Sequence, residues 1–278
     1  MNGLLQIAGI SKQGFHKQRR TQQARLIQDQ VIIEQAHAIR KDHPKMGCRK
    51  MYKLMPDSYL GKHRLEKLLL DSGFRVRHPK NYRRTTYSIK ANYYPNLIKG
   101  LKIDGINQLW QTDITYLFMK RRFYYLVFIL DVYSRRIVGF SASDHMYAEA
   151  NSDALKRAIR IRKGHSLQDM IHHSDRGSQY IDKDYNKILK DRGIKPSMCQ
   201  YAWENAYAER INGIMKNEYL IPKAASGLTD LKRKLVNNVR LYNNGRPHNE
   251  LPDQMSPVQF ENWALQQKKL PEMVIDDT

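Results

Sequence analysis

The apolar positions of the first third of the chain recur at helical spacing, and from Leu109 onward they recur at the spacing of strands. Leu26, Ile27, Ile33, Ala36 and Ile39 predict a helix over 21–39, stopped by Pro44. A second helix is expected over 49–55, ended by Pro56. A third runs from Lys62 to Ser72, with Leu65, Leu68 and Leu69 inward and Gly73 closing it. The strand pattern then covers 109–119, 123–133 and 136–143. Turn-like residues at 120–122 and 134–135 make these an antiparallel meander. A helix over 148–160 turns Ala150, Ala154, Leu155 and Ala158 inward. Next come a strand over 169–174, a helix over 183–192 closed by Gly193, a short strand over 194–198, and helices over 203–219 and 229–243.

Three antiparallel strands followed by helix, strand, helix, strand, helix is the order of the ribonuclease H-like fold. The expected class is therefore α/β, a five-stranded mixed sheet with helices, preceded by a small all-α region. The boundaries expected are a helical region at 1–74, a basic linker at 75–107, a core at 108–222 and a C-terminal helical extension at 223–278.

Charge sharpens this picture. The formal net charge is +21 and the pI about 9.9, which points to a polyanionic partner, with nucleic acid ahead of an acidic membrane surface. The longest apolar run, 123–130, is far below the roughly 20 residues of a spanning helix. The first residues have no basic n-region or cleavage pattern, so a cytoplasmic protein is expected. Cys48 and Cys199 stand alone, which fits a reducing compartment and argues against a zinc knuckle or a disulfide frame. Residues 1–100 hold 21 Lys and Arg against 6 Asp and Glu, so the first third is the expected gripping surface. Lys62, Arg64 and Lys67, with His63, lie on the outer side of the third helix, as a DNA-reading face or as a solvated charged one. Ahead of them, Gly9–Phe15 resembles the turn and second helix of a helix-turn-helix with Ser11 as N-cap. With so few residues before it, it is a remnant or is completed by another polypeptide. The basic and aromatic side chains of the linker, among them Arg75, Arg77, Lys80, Tyr82, Arg83, Arg84, Tyr87, Lys90, Tyr93 and Tyr94, fit either a segment lying along a phosphate backbone or an ordinary polar connector.

Within this basic chain three carboxylates occupy separate elements: Asp113 inside the first strand, Asp175 where the fourth strand meets the turn at Gly177, and Glu209 within a helical pattern. In open α/β sheets ligands sit at strand ends. On a ribonuclease H-like sheet the first and fourth strands are neighbours, so Asp113 and Asp175 would meet and Glu209 would come down on them. Such a cluster repels itself unless cations fill it. Phosphoryl transfer to or from nucleic acid needs such a cluster to hold two divalent ions, Mg²⁺ or Mn²⁺, about 3.5–4 Å apart. Asp131 reads instead as a strand-end residue pairing with Arg135 or Arg136. Glu204 and Glu218 fall off the face of Glu209, and His172 and His173 read as core residues rather than metal ligands.

Trp110-Gln111-Thr112-Asp113-Ile114-Thr115-Tyr116, His173-Ser174-Asp175-Arg176-Gly177-Ser178-Gln179-Tyr180 and Glu204-Asn205-Ala206-Tyr207-Ala208-Glu209, in that order, resemble the DDE transposase/retroviral-integrase superfamily. More narrowly they resemble the second-frame (OrfB) transposases of the large frameshifting bacterial insertion-sequence family. Ser197-Met198, Tyr242-Asn243-Asn244-Gly245-Arg246-Pro247-His248, Ser256-Pro257 and the basic stretch from His43 to Lys50 are similar to that family too. The resemblance implies that Asp113, Asp175 and Glu209 are the catalytic, metal-binding triad, with Asp113 bridging both ions. It implies that Lys216 reaches a phosphate near the scissile bond, that Asn205 helps position DNA, and that Arg246 and His248 are structural or touch DNA. The implied function is metal-dependent nicking of a 3′ end of the element followed by strand transfer. The partners implied are double-stranded DNA (terminal repeats and target), further copies of the chain, and an upstream-frame protein or fusion. The protein would be nucleoid-associated when bound to DNA, with no membrane involved. The chain departs from the pattern in a shorter stretch between Asp175 and Glu209, where the loop 199–202 lacks the familiar glycine, and in Glu204 where an aspartate is common. A ribonuclease H-like nuclease without strand transfer and a non-catalytic DNA-binding remnant or regulator are the rival expectations.

Overall fold

The computed structural model describes Gly9 and residues 11–77, 93–145 and 148–275, and the chain divides into two compact units, 1–77 and 78–278. The first unit is helical: α1 (Lys12–Asp42), α2 (Cys48–Lys53) and α3 (Lys62–Asp71). Ile32, Ala36, Met46, Met51, Leu65, Leu69 and Phe74 form its core. Ser11 caps α1 by accepting from the Gly14 N–H at 3.0 Å. A turn at Gly9 and the cap at Ser11 lead into this helix, which runs unbroken to Asp42, and residues 1–8, where a first helix of the expected motif would lie, fall outside the described residues. Most of the expected linker, 78–92, including Lys80, Tyr82, Arg83, Arg84, Tyr87 and Lys90, lies outside the described residues.

The second unit is built on a five-stranded sheet. β1 (Lys102–Ile103) pairs elsewhere; the sheet proper holds β2 (Leu109–Met119), β3 (Arg122–Asp131), β4 (Ile137–Ser143), β5 (Ile171–Ser174) and β6 (Lys195–Met198), in the order β4-β3-β2-β5-β6. β4, β3 and β2 are antiparallel, whereas β2, β5 and β6 are parallel. This is the ribonuclease H-like order, and the chain has that fold. Parallel neighbours need a crossover, and helices supply it: α4 (Ala148–Ile161) leads to β5 and α5 (Lys183–Lys190) leads to β6.

Strand alternation divides the core into two layers. Trp110, Val127, Ile129 and Val138 face α4 and α5 through Ala154, Leu155, Ala158, Tyr185 and Leu189. Leu117, Met119, Leu126 and Phe128 face α6 (Ala206–Ile214), the π-helical turn Met215–Leu220 that continues it, and α7 (Leu228–Gly245). Residues beyond 222 are part of this core: Leu231, Leu235, Val239 and Tyr242 of α7 pack on the sheet, and Asn243 brackets Ile137 of β4 with bonds to its N–H and C=O. After α8 (Pro257–Ala264), β7 (Met273–Val274) pairs with β1. No helix among the described residues is long and apolar enough to cross a membrane.

Candidate active site

The register of β2 and β5 fixes the first two carboxylates. Thr112 pairs with Ser174 in the last rung of that parallel ladder, and Asp113 and Asp175 each stand one residue beyond it. Equivalent positions of paired parallel strands point to one face, here the face covered by α6. The 3₁₀ turn Ala202–Asn205 and then α6 bring Glu209 into the first turn of that helix. Asn205, buried, donates from its amide to the Thr112 carbonyl at 2.9 Å, and Gln111 donates to the Glu204 carbonyl at 3.1 Å. These two bonds fasten the start of α6 to the strand that carries Asp113.

The carboxylates sense one another. Burial, then the charge of Asp175, push the Asp113 carboxyl up to about 7, with Glu209 adding to the rise. The Ile114 N–H at 2.8 Å and the Asn212 amide at 2.8 Å hold it back. Burial raises Asp175 against the Gly177 N–H that its Oδ1 accepts at 3.1 Å, and burial followed by the Asp175 charge raises Glu209. Mutual repulsion among hard oxygen donors, in a site with few compensating cations, is the chemistry that a divalent ion satisfies. The donor set therefore fits Mg²⁺ or Mn²⁺. Among the described residues no three His, Cys, Asp or Glu side chains already converge tightly enough to enclose an ion.

Lys216 lies in the π-helical turn, close enough to Asp113 for that carboxylate to oppose the lowering of its pKa by burial. Its ammonium sits over the Tyr116 ring, 5.2 Å from the centroid. Helical geometry that departs from α is common at functional sites, and here it sets the phase of Lys216 relative to Glu209.

Other expected residues fall elsewhere. Lys62, Arg64 and Lys67 are exposed on α3, in the first unit. Arg246 is buried and gives Nε and Nη2 to Glu218 at 2.9 and 2.7 Å, so its guanidinium is committed to the fold and not offered to DNA. The amide N–H of buried Asn205 is likewise given to the strand, which makes this residue a support of the site. Asp131 does not pair with Arg135 or Arg136. Fully buried, it accepts from the backbone of Asn107, Tyr133 and Ser134 and from Arg162 at 3.2 Å, opposite Trp110 and away from Asp113. His172 and His173 are buried, with Nε2 of the first 2.6 Å from the Tyr185 hydroxyl and Nδ1 of the second 2.9 Å from the Ser197 hydroxyl. Desolvation lowers them to about 3 and about 4, so both are neutral core residues. The residue that sequence reasoning passed over is Asn212. Its position three residues after Glu209, hence on the same helix face, was the signal available.

Two family models, both described as an integrase core domain, match residues 104–202 and 192–257. A protein of Mycobacterium tuberculosis (strain CDC 1551 / Oshkosh) described as a transposase for insertion sequence element IS986/IS6110 is 34% identical over 171 residues, 59% of this chain and 61% of that protein. The Escherichia coli (strain K12) transposase InsF for insertion sequence IS3A is 32% identical over 192 residues, 67% of this chain and 64% of that protein. The chain thus spans less than two thirds of the length of these curated relatives. The HTLV-2 integrase catalytic core domain in complex with magnesium (trimeric form) is 20% identical and superimposes with a TM-score of 0.45, covering 60% of this chain and 99% of that one. With an integrase core domain over 104–257 and insertion-sequence transposases among its relatives, the chain belongs to the DDE transposase/integrase family.

Proposed function

We propose that the chain is a DNA transposase that nicks a 3′ end of its own insertion sequence and joins the freed 3′-OH to a second phosphodiester. The observation that carries this reading is the placement of Asp113, within β2, and Asp175, just past β5, each one residue beyond the last rung of their parallel ladder, with Glu209 near enough to raise the Asp113 carboxyl. In this reading Asp113, Asp175 and Glu209 hold the metal, and bound divalent ions supply Lewis acidity and offset the charge that builds on the phosphate. Asn212 fixes the Asp113 carboxylate by donating to Oδ2, and the Gly177 N–H fixes Asp175. Lys216 contributes a positive charge on the Asp113 side, where a phosphate of the scissile strand would lie. Lys62, Arg64 and Lys67 present the cationic face of the helical unit to duplex DNA. The assembly on DNA contains further copies of the chain, and an upstream-frame partner or fusion completes it in the cytoplasm, at the nucleoid.

The test is nicking of labelled DNA that carries the ends flanking the coding sequence, with and without Mg²⁺ or Mn²⁺. A metal-dependent nick at the element end is expected from wild type and not from Asp175→Asn. Binding of the ends with no metal-dependent cleavage, also after the upstream frame is added, would assign the chain to the non-catalytic regulators.

A further inference from the structure

The end of the sheet opposite the carboxylates carries a feature that the reaction above does not use. β5 delivers Asp175 at its C-terminal end. At its N-terminal end the turns that close α4 and α5 line an open groove of about 1100 Å³. Lys156, Arg160, Lys163, His165, Lys190 and Arg192 line it, all exposed. Among the described residues none of the six makes an ion pair. Asp191 is the acidic side chain of the lining, and Asp169, just before β5, is engaged by Lys195 at 2.8 Å. Arg162, also in the lining, is buried and committed to Asp131 and Glu261. The two turns depend on Gly164 (φ 98°) and Gly193 (φ 65°), and a Cβ on Gly193 would collide with the Gln168 side chain.

Helix C-termini attract cations, which accounts for Arg160 and Lys190 in the last turns of α4 and α5. That effect fades beyond the last turn, and among the described residues Lys163, His165 and Arg192 in the loops form no ion pair. Like charges held around one groove repel each other unless an anion lies between them. The groove is wider than a single phosphate needs. No Phe, Tyr or Trp side chain lines it among the described residues, and its cations fit recognition of the backbone through charge. β5 is 4 residues long, which at about 3.3 Å per residue puts the groove and the carboxylates roughly 13 Å apart. One phosphodiester cannot occupy both.

We propose that this groove binds the phosphate backbone of a DNA segment other than the one whose phosphodiester lies at Asp113 and Asp175. The inference rests on the reading that the substrate is DNA, and a joining reaction brings two DNA segments to one protein.

Binding of the full-length chain to a duplex of arbitrary sequence, followed by fluorescence anisotropy over a range of salt and with no divalent metal, tests the groove apart from catalysis. The variant Lys163→Gln/Lys190→Gln/Arg192→Gln is compared with Lys232→Gln/Lys268→Gln/Lys269→Gln, which removes as much charge from exposed positions outside the groove. All six are exposed, and melting temperatures verify that both variants fold. Each lost phosphate contact lowers the slope of log K against log salt by about 0.9. The groove variant is expected to lose roughly 2 to 3 from that slope and to bind about tenfold or more weaker at about 0.15 M salt, with the comparison variant near wild type. Equal slopes for the two variants would overturn the proposal. So would a groove variant that keeps its DNA affinity but changes its self-association in sedimentation, because the groove would then hold an acidic protein surface. A wild-type chain that shows the expected slopes and neither nicks nor joins ends, also with the upstream frame added, would overturn the transposase reading and leave the groove standing.

Discussion

Asp113 is an acid placed on an interior strand, and its environment sets its pH behaviour. Its folded carboxyl titrates at about 7 against an ordinary 3.8. Between those values the folded chain keeps a proton that the unfolded chain has already lost. Stability from this group is therefore present below about 3.8 and declines as pH rises through about 7. Asp175 and Glu209, also raised, act with the same sign. Metal-free wild type should lose melting temperature across that window, and Asp113→Asn should show a flatter curve in differential scanning fluorimetry. Above the window, added magnesium should raise the melting temperature of wild type and not of Asp113→Asn. A variant curve as steep as wild type would remove Asp113 from the cluster. Asn212 should matter next: Asn212→Ala frees Asp113 Oδ2, and nicking should fall while the duplex affinity stays unchanged. Asp113, Asp175 and Glu209 stood out in the sequence because acids inside a strand, at a strand end and within a helical run break the local pattern. Asn212 did not, because a polar residue near a helix end is ordinary until its partner strand is placed. Arg246 stayed open between a structural and a DNA-contacting role for the opposite reason. A cation in a basic chain reads as a DNA contact, and only the fold brings Glu218 to it.

At the scale of elements, close approaches and buried pairs decide what tolerates change. A Cβ on Gly139 would sit 2.4 Å from the Ala154 carbonyl oxygen, backbone against backbone, where β4 packs on α4. Gly139→Ala must separate strand from helix, and a loss of about 1–3 kcal/mol in denaturant unfolding is expected. Arg246 and Glu218 tie the π-helical turn to the end of α7, both largely shielded from solvent. Removing either leaves a charge with no partner, so Glu218→Ala and Arg246→Ala should each cost roughly 3–5 kcal/mol. The salt slope of DNA binding should stay unchanged in both. A slope reduced by Arg246→Ala in a stably folded protein would restore that residue to the DNA surface. The strands and helices of the sheet were readable because alternation and 3.6-residue periodicity are local. The 3₁₀, α and π segments between Ala202 and Leu220 read as one helix, because their apolar spacing does not register a change of helical pitch. The β1–β7 pair, joining residues far apart in sequence, left no local signal.

For the whole molecule, the division at Arg77 and the burial of α7 make different demands on the two ends of the chain. A fragment of residues 78–278 should melt cooperatively by itself. One ending at 222 should not, since it removes Leu231, Leu235, Val239 and Tyr242 from the core they share with Leu126 and Phe128. The central claim concerns chemistry: Asp113, Asp175 and Glu209 act together with divalent metal to join DNA strands. Strand transfer by the full-length chain, using labelled element ends and magnesium with Glu209→Gln alongside, tests it most directly. The account predicts joined product from wild type and none from Glu209→Gln, with equal DNA binding by both. Joining by Glu209→Gln at the wild-type rate, or cleavage by wild type with no joined product, would contradict it.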